Sequence, residues 1–302
     1  MNLFDFLLSS PPDPAAFTNV DESYVRVESM DASWPGSIDR AAAGGFVADR
    51  LGIAFVAGYR AALQRVDPAL SRASLCATEE GGAHPRAIRS RLEPSHGGFV
   101  LSGTKTFATL ASRARTLLVV ASVGESEGKN RLRVARIPAD RAGVTIRDRA
   151  PVPFAPELPH AEVVFETVRV EDGEVLEGDG YDRVLKPFRT HEDAHVLASA
   201  IGYLIQIARR FGPAEAQMED ALATLASLRD VSIHDPLAPS THLVLAGAIT
   251  AAQRIATAAD FAKADEATRT RWERDRPLLA VAGTARGKRR EAAWRLLTER
   301  SI

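Results

Sequence analysis

The strongest constraint on this chain is the point at which its apolar periodicity changes. Between residues 75 and 170 the apolar residues fall into short runs, broken by turn-rich stretches such as Pro94-Ser-His-Gly-Gly98 and residues 124–130. The spacing predicts antiparallel strands over 75–79, 87–92, 99–107, 114–122, 132–137, 144–147 and 162–170. Thr116-Leu-Leu-Val-Val-Ala-Ser122 is apolar almost throughout and is expected to form a central strand. Beyond Tyr181 the chain turns helical and rich in alanine. Strands segregated from helices define an α+β chain. Nothing alternates as βαβ and no G-x-G-x-x-G is present, so a nicotinamide-type dinucleotide fold is not expected.

Residues 1–36 hold Pro11, Pro12, Pro14 and Pro35, which predicts an irregular segment with one short helix over 2–8. From Ser37, read as an N-cap, one amphipathic helix is expected through Phe46, Leu51, Phe55, Tyr59 and Leu63, ending before Pro68. Gly44, Gly45, Gly52 and Gly58 within it imply close approach to another backbone. A helix over 195–210 should stop or kink at Gly212-Pro213, followed by another over 214–230 and a loop around Pro236 and Pro239. Two adjacent seams, Leu245, Ile249, Ala252, Ala256, Ala259 and Val244, Ala248, Ala251, Ile255, suit a helix bundle. The last helix, after Pro277, carries Leu278, Ala282, Ala285, Ala292 and Leu296 on one side and Arg286, Lys288, Arg289, Arg290 and Arg295 on the other. The expected division is a helical segment 1–74, a β-domain 75–180 and a helical bundle 181–302.

A chain of 302 residues that is 45% hydrophobic and 25% charged can bury a sizeable core. Its net charge of −1 offers no basic excess for nucleic acid or an acidic membrane, so neither partner is expected. Cys76 is the single cysteine and rules out an internal disulfide. The apolar start carries Asp5 without a basic n-region, and no apolar run reaches the roughly eighteen residues of a membrane span. The expectation is a cytoplasmic protein.

Two segments carry more than fold information. Leu75-Cys-Ala-Thr-Glu-Glu-Gly-Gly-Ala-His84 reads as a short strand running into a glycine-turned loop, and Gly98-Phe-Val-Leu-Ser-Gly-Thr-Lys-Thr-Phe-Ala-Thr109 as a strand with a hydroxyl near its end. Two strands ending in Thr78 and Thr109 could frame one flat polar ligand. These segments resemble the acyl-CoA dehydrogenase family's "C-x-T-E-P-G-A-G-S-D" and "G-x-x-x-x-G-x-K-x-W-I-T-N". The resemblance extends to Ala161-Glu-Val-Val-Phe-Glu-Thr-Val-Arg-Val170 and Val175-Leu-Glu-Gly-Asp-Gly180. It implies a short N-terminal helical part, a central antiparallel β-barrel-like domain and a C-terminal helical bundle, with both helical parts shortened.

The resemblance also implies a function, an FAD-dependent oxidoreductase that dehydrogenates an acyl thioester, free or carrier-bound, as a dimer or tetramer. Such a reaction needs a carboxylate to take the α-proton while hydride leaves to the flavin, and donors to stabilise the reduced ring. By resemblance Thr78 and Thr109 meet the ring with main-chain groups of Ala77 and Glu79, Phe107 replaces the family's tryptophan, and His84 lies beside the substrate. Arg209-Arg-Phe-Gly212 is similar to "R-x-x-F-G", which offers Arg210 and Phe211 to the cofactor. The family's "Y-E-G-T" and "H-G-G-x-G" segments are absent, and resemblance to the minority of the family with its base near the start of the first C-terminal helix, aligned on Ala198-Ser-Ala-Ile-Gly202, makes Glu192 the candidate base. Asp193 replaces an arginine, and His84-Pro85 replaces Ser-Asp. A catalytically degenerate scaffold without flavin is the second reading. His191-Glu-Asp-Ala-His195 spells H-E-x-x-H and supplies a third, a zinc hydrolase with Glu192 as base.

Overall fold

The computed structural model describes residues 2–14, 16–212, 215–258 and 261–299. The chain divides into two compact units, one of residues 1–65, 153–157 and 190–302 and one of 66–152 and 158–189. Helices from both ends of the chain share the first unit, and the strands make the second.

The strand unit is one sheet of β1 (Ala73–Cys76), β2 (Arg91–Ser95), β3 (Gly98–Thr109), β4 (Thr116–Ser126), β5 (Lys129–Pro138), β6 (Val144–Asp148) and β7 (His160–Val170). The order is β1-β4-β2-β3-β7-β6, with β5 also on β4. Most pairings are antiparallel as expected, but β1 runs parallel to β4 and β2 meets β4 in parallel at Arg91 and Ser122. The sheet is therefore mixed. Its centre is β4, whose Leu117, Leu118, Val119, Val120 and Ala121 have no exposed surface. The expected strand over 87–92 begins later, because Pro85–Ala87 forms a 3-10 turn capped by His84.

In the helical unit, α1 (Leu3–Ser9) is capped by Asn2, whose side chain accepts from the Asp5 N–H at 3.0 Å. The expected irregular stretch after it holds α2 (Val20–Met30). Asn19 accepts from the Glu22 N–H (3.0 Å) and the Glu22 carboxylate accepts from the Thr18 N–H (2.8 Å). This near-reciprocal capping starts the helix despite the preceding prolines. The single helix expected from Ser37 is two, α3 (Ser37–Phe46) and α4 (Leu51–Leu63), and the N-cap is Gly36. Arg50 interrupts them in extended backbone, its guanidinium reaching Asp49 (2.6 Å), Glu157 (3.2 Å) and the Phe17 carbonyl (3.1 Å). Glu157 and Phe17 are distant in sequence, and the apolar period alone runs across the break.

α5 (Lys186–Phe211) starts well before the expected 195, behind a π-turn at Tyr181–Leu185, with Pro187 tolerated in its first turn. It packs on α3 and α4 at backbone distance: a Cβ on Gly45 would lie 1.9 Å from the Ser199 oxygen, and one on Gly202 2.0 Å from the Ala42 oxygen. The close approach read from the small residues is present. α6 (Glu215–Ile233) and α7 (Pro239–Ala258) follow, Pro239 opening α7 instead of lying in a loop. α7 buries Thr241, Leu245, Ala248, Ala252 and Ile255, one stripe drawn from both predicted seams. Pro213, Ala214 and Ala259 lie outside the described residues. After α8 (Glu266–Asp275) and a 3-10 turn at Arg276–Ala280 comes α9 (Gly283–Thr298). Its expected apolar side is not the buried one: Ala293 is buried, whereas Leu296 and Trp294 are exposed. No helix among the described residues is long and apolar enough to cross a membrane.

Candidate functional site

The site is built on the strand unit by one irregularity in β3. Lys105 pairs with Val163 and Ala108 with Ala161, so β3 holds one more residue than β7 over this interval. Lys105 and Ala108 consequently both face the interior with no exposed surface. Phe107 and Thr109, two residues apart, turn to the outer face, where Phe107 is 37% exposed. Beyond the end of β1, Thr78 bridges Phe107 in antiparallel fashion, and residues directly opposite share a face. Thr78, Phe107 and Thr109 are thus brought together.

The register adds a residue that the sequence did not single out. His160 is opposite Thr109, and its Nδ1 lies 3.2 Å from the Thr109 hydroxyl. The imidazole also stacks on Phe107, with centroids 4.2 Å apart and planes 22° apart. Burial, then the nearby Arg149 guanidinium, hold His160 below the usual imidazole range. Arg149 itself donates to the Thr106 carbonyl at 2.9 Å. His160 precedes the strand expected from 162, and only the pairing of β3 with β7 reveals its position.

The Glu79 side chain belongs to the interior of the strand unit. Its carboxylate is buried and accepts from Lys105 Nζ (2.5 Å) and from the N–H groups of Arg89 (2.6 Å) and Ser90 (3.1 Å). Its own N–H donates to the Gly82 oxygen, and its oxygen accepts from the Gly82 N–H. These bonds form a turn, which Gly81 and Gly82 close at φ +91 and +101. Ala77 is buried at the end of β1. His84 is exposed, accepts from the Arg86 N–H at 3.2 Å, and lines a cleft of about 400 Å³ with Arg86, Lys129, Asn130 and Arg131.

The remaining candidates lie in the helical unit. Arg210 sits over the Phe211 ring at 4.7 Å and 3.6 Å from Asp265. The pair offered to the cofactor thus has partners of its own. Glu192 is half-buried on α5. Asp193 is buried and accepts from Arg286 (2.8 Å) and Arg289 of α9, so two arginines of the basic face are neutralised.

His195, the second histidine of the H-E-x-x-H pattern, is fully buried. Its Nδ1 is 2.6 Å from the His191 oxygen and its Nε2 is 2.9 Å from the Ser37 hydroxyl. Nδ1 donates and Nε2 accepts, which leaves neither nitrogen for zinc. The helical spacing that suggested a metal site has produced a core histidine.

The sheet, with helices before and after it in sequence, has the acyl-CoA dehydrogenase-like fold. Residues 74–168 match the family model described as acyl-CoA dehydrogenase, middle domain. The fold is shared with solved structures at low identity. One is PigA with FAD and proline (16% identity, TM-score 0.68, covering 99% of this chain and 96% of that one). A second is the prolyl acyl carrier protein oxidase AnaB (17%, 0.69, 98% and 96%). A third is butyryl-CoA dehydrogenase from Megasphaera elsdenii (14%, 0.65, 96% and 89%). No curated protein matches the chain in sequence.

Proposed function

We propose that the protein is an FAD-dependent oxidoreductase that dehydrogenates an acyl thioester next to its carbonyl, the acyl group being carried by CoA or by a carrier protein. The observation that carries this reading is the common face of Thr78, Phe107 and Thr109. Two hydroxyls and an accessible aromatic ring on one sheet face are a polar and stacking set suited to a flat heteroaromatic ring. When bound, the flavin would supply the hydride acceptor. Thr78 and Thr109 would orient the ring, Phe107 would cover part of it, and Glu192 is the residue offered as α-proton acceptor. PigA, solved with FAD and proline, and AnaB, a prolyl acyl carrier protein oxidase, support a carrier-bound acyl group as one substrate class.

Titration of the protein with FAD, followed by its visible spectrum, tests cofactor binding. Anaerobic addition of acyl-CoA and acyl-carrier substrates then tests chemistry through loss of the oxidised flavin band. A protein that takes up no FAD sinks this reading.

A second reading, a scaffold that keeps the fold without flavin, is favoured by one observation: the Thr109 hydroxyl and one side of Phe107 already have His160 as partner. Uptake of FAD at one equivalent would remove it.

A further inference from the structure

We propose that His160 is a positioning residue that fixes the Thr109 hydroxyl as a hydrogen-bond acceptor toward the outer face of the sheet, so that the site favours a ring bearing N–H over one bearing a bare nitrogen. The inference rests on the reading above only in naming that ring as flavin.

The stack on Phe107 and the bond to Thr109 hold the imidazole, and backbone pairing holds the residue that carries it. The β3–β7 register sets His160 opposite Thr109, and the ring stacks on Phe107. The Arg149 N–H donates to the His160 oxygen at 2.7 Å, and the Leu110 N–H donates to the adjacent Pro159 oxygen at 2.8 Å. Turning the ring away would break the stack and the bond to Thr109 together.

A hydroxyl has one hydrogen to give. Burial and Arg149 favour the neutral imidazole, which carries a single N–H. With that proton on Nε2, the tautomer preferred by free histidine, Nδ1 is a lone pair that takes the Thr109 hydrogen. Thr109 can then only accept from a ligand. The reduced flavin carries N–H groups where the oxidised ring has bare nitrogens, so an acceptor fixed on the Thr109 oxygen would favour the reduced form. Without Nδ1 the hydroxyl is released to donate, and that preference is lost.

The cofactor-free test is nitrogen NMR of the full chain labelled in histidine, with His160→Phe identifying the resonance. The expected result is a neutral His160 with Nδ1 unprotonated and a shift of that signal in Thr109→Val. A proton on Nδ1, or a signal indifferent to Thr109→Val, overturns the proposal. The second measurement is the two-electron midpoint potential of bound FAD. His160→Phe keeps an aromatic stack and removes the acceptor, so its relative affinity for the reduced ring should fall about three- to tenfold. His160→Asn restores an acceptor and should recover part of the loss. Equal potentials in the three proteins overturn the proposal. If the wild type takes up no FAD, the flavin reading fails by itself and the NMR result still decides the tautomer.

Discussion

Lys105 Nζ stands 2.5 Å from Glu79 Oε1 and also donates to the Val120 oxygen, at a position with no exposed surface. A charge so placed is tolerated only because it is paired and hydrogen-bonded. Burial works to raise the Glu79 carboxyl, but Lys105 and the N–H groups of the loop prevail and hold it below the usual carboxylate range. The pair joins the interior of β3 to the loop that begins with Thr78, and so fixes one edge of the candidate site.

Breaking that pair should be costly. Glu79→Gln or Lys105→Met leaves an uncompensated buried charge and should destabilise the protein by about 3–5 kcal/mol. Urea unfolding checks the value, and the double substitution should lose less than the sum of the two single changes. Additive losses would show that the two side chains do not depend on one another.

The buried histidines of α5 predict acid sensitivity. Burial, aided by Arg65, lowers His191 to about 4, and burial lowers His195 to about 3. The unfolded chain protonates both near pH 6.5 while the folded chain does not. Their contribution is therefore complete above about pH 6.5 and is lost as the pH falls toward the folded values, by about 1.4 kcal/mol per pH unit for each group. His195→Leu should flatten the stability profile between about pH 6 and about pH 4. An unchanged slope in that variant would count against the buried neutral imidazole.

Gly202 meets the Ala42 oxygen with no room for a side chain. Gly202→Ala should force α3 and α5 apart and lower stability by about 1–3 kcal/mol. Gly247, on α7, is the control, since a Cβ there would meet nothing within 4 Å. Gly247→Ala should be neutral or stabilising by about 1 kcal/mol, because an exposed helical glycine gains from the change. Thermal unfolding of the two variants distinguishes packing from helix propensity.

Asp193 anchors the C-terminal helix through Arg286 and Arg289. Asp193→Asn removes the charge from these hydrogen bonds and should cost about 1.5–3 kcal/mol. Hydrogen exchange should quicken in α9 before the rest of the helical unit responds. Lys288→Ala, elsewhere on the same helix, should leave exchange as in the wild type.

If the flavin reading holds, Thr78→Val should weaken FAD binding about three- to tenfold while leaving the fold intact. Glu192→Gln should bind FAD normally and lose about 10²–10⁴-fold in the rate of band loss on adding acyl thioester. A Glu192→Gln protein that reacts at the wild-type rate would take Glu192 out of the mechanism.

The sequence by itself determined where strands give way to helices and the kind of most elements, though not α2, the break at Arg50 or the start of α5. The apolar run of β4, the glycine loop after Thr78 and the alanine-rich helices are local signals, since side-chain period and turn chemistry act over a few residues. Tertiary structure alone decided what those elements face. The parallel contacts of β1 and β2 with β4, the extra residue in β3, and the encounter of His160 with Thr109 depend on register between segments far apart in the chain. Local pattern likewise suggested metal-binding histidines and an apolar side of α9. Helical spacing specifies which residues share a side, but which side is covered depends on packing partners: Ser37 for His195, and for α9 a contact that buries Ala293 instead of Leu296.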